Sequence, residues 1–163
     1  MSDSHVYHDD DFETLARDLY PVRNLRAEDF DHVLRIDHKV TGRDRRDYLR
    51  RKFDEALAES AVQVSLVAEA DGRPVGFIMA RVDHGDFGRI AASAVLDTLG
   101  VSPDFAGKGV GRALLSQLLV NLRALGVERV ESEVARESFD LLGFFYHLGF
   151  APAQRLAFHK RIV

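Results

Sequence analysis

The sequence contains no cysteine. That absence excludes disulfides, thiolate zinc sites and a thiol nucleophile, and it sets the expectation of a reducing, cytoplasmic location. Seven histidines are present but scattered, at 5, 8, 32, 38, 84, 147 and 159, with no HxxxH pair on one helix face. No metal is therefore expected. No apolar run approaches the length of a membrane span, and the acidic N-terminus lacks the apolar core of a signal peptide, so no membrane partner is expected. A formal charge of −4 argues against broad nucleic-acid binding. Low-complexity tracts and internal repeats are missing too. What remains is 163 residues with 46% hydrophobic composition, enough for one domain with a real core.

Residues 1–19 form an acidic extension: Asp3, Asp9, Asp10, Asp11, Glu13 and Asp18 stand against Arg17 alone. Phe12, Leu15, Ala16 and Leu19 have the spacing of one short amphipathic helix. The domain proper is expected over residues 20–163. Tyr20–Leu25 reads as a strand and Ala27–His38 as a helix with Phe30, Val33 and Leu34 on its buried side. After Gly42 a second helix, Asp44–Glu59, carries an apolar stripe at Leu49, Phe53, Ala56 and Leu57. Its early turns hold Arg43, Arg45, Arg46, Arg50, Arg51 and Lys52, a pattern of a solvated face with pairs such as Asp47–Arg51; a basic rim that attracts an acidic substrate or the CoA phosphates is the alternative. Strands Val62–Glu69 and Pro74–Asp83 flank Asp71-Gly72, a hairpin turn. A loop at His84–Gly88 precedes a strand over Ala92–Val101. Beyond it follow a helix ending at Gly126, a strand Glu128–Ala135, a helix Phe139–Leu148 and a last strand Arg155–Ile162.

The stretch between the Ala92–Val101 strand and the long helix is the most informative. Gly107, Gly109 and Gly111 stand at every second position, just before apolar residues at helical spacing: Val110, Leu114, Leu118, Leu119, Leu122 and Leu125. Glycines leave backbone N–H groups uncovered, and a helix N-terminus adds partial positive charge; together they make a seat for a phosphate or pyrophosphate. Lys108 and Arg112 add fixed charge. A tight turn that needs glycine only for its backbone angles is the alternative. There is no GxxxxGK[ST] run, and both registers of GxGxxG fail at the third glycine.

Ala106-Gly107-Lys108-Gly109-Val110-Gly111, with a strand before and a helix after, resembles the acyl-CoA loop of the GNAT family of N-acetyltransferases. Ala106 replaces the Arg or Gln usual at the loop entrance. A second match is Phe144-Phe-Tyr-His-Leu-Gly-Phe150, similar to the closing helix and LGF turn of that family. The order of elements also agrees, so the resemblance covers about residues 20–163. It implies a single-domain α/β fold with a mixed, mostly antiparallel central sheet flanked by helices, its splayed strands forming the acyl-CoA cleft. It further implies that acetyl-CoA and an amine acceptor are the partners, with Leu99, Gly100 and Val101 on the pantetheine and residues 106–112 on the pyrophosphate. Gly100 is the expected site of a bulge that splays the strands.

Acyl transfer needs a base for the amine, a donor for the oxyanion and a proton for the leaving thiolate. A backbone N–H near Leu99 is the expected oxyanion donor. Asp97 stands among Val95, Leu96 and Leu99, where a lone carboxylate is costly and its affinity for a proton rises; it is the first candidate base. Pointing to solvent or bonding to Thr98 is its structural alternative. Glu133, which shares a strand face with Glu131, occupies a position where some protein-acetylating relatives place a base. The family's acid is a Tyr five residues before the last Phe of LGF. Here Phe145 stands there and Tyr146 follows, turned about 100° around the helix, so water is the alternative acid. Ser138 stands where many relatives place a pantetheine-binding Asn. The resemblance brings the acceptor over the first two helices and the His84–Gly88 loop, making Asp37, Arg43, Tyr48 and Asp83 candidate substrate contacts. The expected activity is direct acetyl transfer to a primary amine of a small molecule or protein. A non-catalytic acyl-CoA-binding module and a purely structural interaction domain are the rivals, and the apolar last strand leaves a homodimer open.

Overall fold

A computed structural model describes residues 19–83 and 92–163. Five strands form one sheet in chain order: β1 (Val22–Asn24), β2 (Leu66–Ala70), β3 (Arg73–Asp83), β4 (Ser93–Val101) and β5 (Arg129–Ser132). The first four pair antiparallel, and β5 runs parallel to β4. Three helices belong with this sheet: α1 (Phe30–Thr41), α2 (Arg46–Leu57) and α3 (Val110–Ala124). The compact unit ends at Ser132, and residues 133–163 make a second unit containing α4 (Phe139–His147).

The sheet is covered on both faces. Leu25, Phe30, Val33, Leu34, Ile36, Leu49 and Phe53 join Val67, Phe77 and Met79 in one buried cluster, which seats α1 and α2 on one side. Gly76, next to Phe77 and so on the opposite face, lies under α3: a Cβ there would stand 2.7 Å from Cγ1 of Val110. The absent side chain lets the first turn of α3 come down onto the sheet. Val110, Ala113, Leu114, Leu118 and Leu122 are its buried stripe. The β2–β3 connection is Asp71-Gly72, with φ of 50° and 72°, the paired positive values of a type I′ hairpin.

Ion pairs of two arginines, Arg23 and Arg45, tie the N-terminal elements to each other and to β2. Arg23 of β1 holds Asp29 bidentately at 2.8 Å and also donates to Glu69. Burial acts to raise the Asp29 pKa, but the Arg23 hydrogen bonds and the Arg26 backbone N–H outweigh it, so the carboxyl stays below the usual range. Asp37 of α1 is buried against Arg45, which also lies over the Tyr48 ring. The basic run at the start of α2 is thus only partly solvated: Arg45 is spent on Asp37, and Arg50 covers the Phe30 ring at 3.5 Å.

Several expectations are corrected. The helix expected from Ala27 opens as a 3-10 turn, Ala27–Asp29, before α1. Val62–Ser65 do not pair, and β5 stops at Ser132, well short of Ala135. No strand forms over Arg155–Ile162; Leu156, Phe158 and Ile162 are exposed, so alternation alone does not fix a strand without a partner edge. The expected helix around Phe12–Leu19, apart from Leu19, and the loop at His84–Gly88 lie outside the described residues.

Candidate active site

β3 and β4 slip by one residue: Met79 faces Thr98, but Ala80 faces Leu96. Asp97 is therefore the extra residue of a bulge, and the bulge expected at Gly100 is not there. Gly100 pairs regularly with Phe77, and a Cβ on it would stand 2.5 Å from that ring. Its glycine serves close packing. The parallel ladder from β4 to β5 covers Ser93–Leu96 and stops, so β4 runs on for five residues past its last β5 pair. Ser132 Oγ donates to the Leu96 carbonyl at that end, at 3.1 Å.

The bulge also aims side chains. Thr98 Oγ1 lies 3.4 Å from an Arg45 nitrogen, on the α2 side. Strict alternation would turn Asp97 to the other face; the extra residue puts it on the same side. There it meets Lys52 Nζ of α2 at 3.6 Å and an Arg81 nitrogen of β3 at 3.8 Å. Asp97 is not the lone carboxylate that its apolar sequence neighbours suggest: two cations compensate its charge. Burial works to lower Lys52, but its hydrogen bond to Glu55 and the charges of Asp97 and Glu55 hold its pKa above the ordinary value. A cavity of about 150 Å³ opens here, lined by Lys52, Glu55, Ala56, Ser65, Arg81 and Asp97 among others. Lys52 and Arg81 were missed as site residues. Lys52 sits in the basic run read as solvated, and its pairing with a strand 45 residues on is invisible to helical spacing.

At the far end of β4, the chain makes a 3-10 turn, Pro103–Phe105, and the glycine loop. Gly107 and Gly109 have φ of 72° and 89°, left-handed values that favour glycine. Space above Gly107 is open: a Cβ there would meet nothing within 4 Å. Gly109 is the N-cap of α3 and provides no side-chain cap. Ala113 N–H bonds the Gly109 carbonyl at 2.9 Å, so the N–H groups of residues 109–112 are the four that a helix leaves unmatched. Lys108 is exposed with its ammonium 5.4 Å from the Phe105 ring, and Arg112 is half-buried. Ala106 is exposed and adds no polar group.

The other candidates scatter. Leu99 and Val101 are half-buried on β4. Asp37 is buried with both carboxylate oxygens engaged by Arg45, so its contact is to protein. Tyr48 is half-buried under Arg45, Arg43 is exposed in the connection between α1 and α2, and Asp83 ends β3. Glu131 is paired with Arg129 at 3.0 Å. Glu133, Ser138 and Tyr146 fall in the second unit. There Glu133 is exposed and outside β5, and Ser138 caps α4 only through its carbonyl, which accepts from Leu142 N–H. On α4, Phe145 is buried beside Phe150, whereas Tyr146 is 58% exposed.

A model of the acetyltransferase (GNAT) family matches residues 19–150. The chain belongs to the GNAT family. Its fold agrees with that of solved acetyltransferases. The aminoglycoside N-acetyltransferase AAC(6')-Iy, in complex with CoA, has a TM-score of 0.74 at 20% identity, covering 88% of this chain and 95% of that one. An aminoglycoside acetyltransferase from an uncultured soil metagenomic sample, in complex with sisomicin, gives 0.70 at 16% identity over 90% and 98%. The ribosomal-protein-S18-alanine N-acetyltransferase from Escherichia coli gives 0.69 at 20% identity over 83% and 79%. This GNAT chain has the α/β architecture of a mostly antiparallel five-strand sheet flanked by helices. Among its described residues there is no group of three or more potential metal ligands, and no helix is long and apolar enough to cross a membrane.

Proposed function

We propose that this GNAT chain transfers the acetyl group of acetyl-CoA to a primary amine by direct attack. One observation carries the reading: β4 runs on for five residues past its last β5 pair and leads, through a 3-10 turn and the glycine loop, into a helix N-terminus that no side chain caps. A strand edge past the ladder offers backbone donors and acceptors to the amide groups of a pantetheine arm. The loop of residues 106–112 offers N–H groups to a pyrophosphate, with Lys108 and Arg112 beside it. The CoA complex of the structural neighbour AAC(6')-Iy supports the same ligand.

In this reading Leu99, Gly100 and Val101 flank the pantetheine, and a backbone N–H near Leu99 stabilises the oxyanion. Asp97, the residue after the last β4–β5 pair, takes a proton from the acceptor ammonium, directly or through water. The amine nitrogen bonds the acetyl carbon, the C–S bond breaks, and the CoA thiolate takes up one proton while a second is released to solvent. With Phe145 buried and Tyr146 exposed, the thiolate's proton is assigned to water.

Phe145 at the family's Tyr position also favours a second reading, a binding module without turnover. Release of CoA thiol from acetyl-CoA separates the two when a panel of amines is supplied. Thiol release that needs both an amine and Asp97 supports the transferase. Tight acetyl-CoA binding with no amine-dependent release supports the module.

A further inference from the structure

The cavity beside Asp97, about 150 Å³, is lined by two cations and two carboxylates. Lys52 and Arg81 flank the Asp97 carboxylate, and Glu55 stands 3.0 Å from Lys52. We infer that the acceptor is a small zwitterion of amino-acid type, its amine at Asp97 and its carboxylate between Lys52 and Arg81. The inference rests on the transferase reading and names its substrate class.

Charge balance is the first argument. An acceptor ammonium that engages Asp97 competes with both cations for the same carboxylate. If it arrives alone, the balanced cluster of two cations and two carboxylates gains an unmatched positive charge beside Lys52, whose side chain is 19% exposed, while Lys52 keeps Glu55 at 3.0 Å and Arg81 faces solvent. An acceptor that brings its own carboxylate restores the balance in one step. Both contacts to Asp97, at 3.6 and 3.8 Å, are longer than hydrogen bonds, so the two cations keep donors to offer a second carboxylate. The sign of the site is the second argument: a polyamine would bring further positive charge against Lys52 and Arg81. The acetylated product carries a net negative charge, since its amine has become an amide.

The test uses the full chain, acetyl-CoA and thiol release, with free L-amino acids compared with their methyl esters and with sisomicin. The expected result is turnover of at least one free amino acid with kcat/KM about 10- to 100-fold above its ester, the worth of a charge-assisted hydrogen bond. In Lys52→Met and Arg81→Gln that ratio falls toward one, while acetyl-CoA raises the melting temperature as in the parent protein. Esters or sisomicin acetylated as well as every free amino acid would overturn the inference and leave the transferase reading standing. A ratio that neither substitution changes would also overturn it. If acetyl-CoA binds and none of these amines is acetylated, the inference falls and the binding module is favoured. If acetyl-CoA fails to raise the melting temperature, the transferase reading itself fails.

Discussion

Replacing Gly109 separates the two reasons a glycine can stand at the start of α3. Its φ of 89° costs any L side chain about 1–2 kcal/mol of strain. Gly109→Ala should lose that much stability and keep most of its affinity for CoA. Gly109→Asp should carry a similar strain and also place a carboxylate at the helix N-terminus. Two unit charges 4 Å apart interact by about 4 kcal/mol at an effective dielectric near 20. The loop is partly exposed, so we discount this to about 2 kcal/mol, or roughly 30-fold weaker binding. Calorimetric titration with CoA measures the affinity, and urea unfolding measures the strain. The result that refutes the reasoning is equal CoA affinity in the Ala and Asp variants. The glycines would then serve only the turn.

Other predictions address the rest of the molecule. Asp97→Asn should lower kcat by about 10²- to 10⁴-fold, the usual contribution of a general base, with CoA affinity unchanged; steady-state kinetics with calorimetry checks both halves. Gly100→Ala should cost about 1–3 kcal/mol, because the Phe77 ring 2.5 Å away is fully buried and has little room to move; urea denaturation measures it. Asp29→Asn should cost about 2–3 kcal/mol near neutral pH by breaking the bidentate contact to Arg23. The Asp29 pKa is lowered in the folded chain. Its stabilisation is therefore present above the unfolded value of about 4 and is lost as pH falls through the lower folded value. The Asn variant should show a flatter fall of melting temperature over that acid range, and a fall as steep as the parent's would remove Asp29 from the account.

Local signals carried much of this fold. Asp71-Gly72 marks its hairpin because both residues need positive φ, and the apolar stripe of α3 follows directly from spacing. Glycines 107 and 109 were readable for the same reason: their backbone geometry is a property of the residue. Register was not readable. Gly100 invited a bulge by composition, whereas the slip sits at Asp97. Side-chain pairing was equally hidden. Nothing near Arg23 or Lys52 in sequence announces Asp29's partner or Asp97's flanking cation, and Asp37 looked available until Arg45 was seen to cover it. At Leu156, Phe158 and Ile162 the period was present, yet a period describes only one side of a strand's needs.

The bulge at Asp97 has a consequence for how this chain can change. A single inserted residue supplies the carboxylate, turns it toward Lys52 and Arg81, and coincides with the point where β5 is left behind. Point substitution can remove the acid and leave the bulge. Deletion of the codon would instead join Leu96 directly to Thr98, so that their partners Ala80 and Met79 also follow without a slip, and acid and bulge would vanish in one genetic event. Insertions and deletions, usually tolerated in loops, are at this strand position the more damaging class of change.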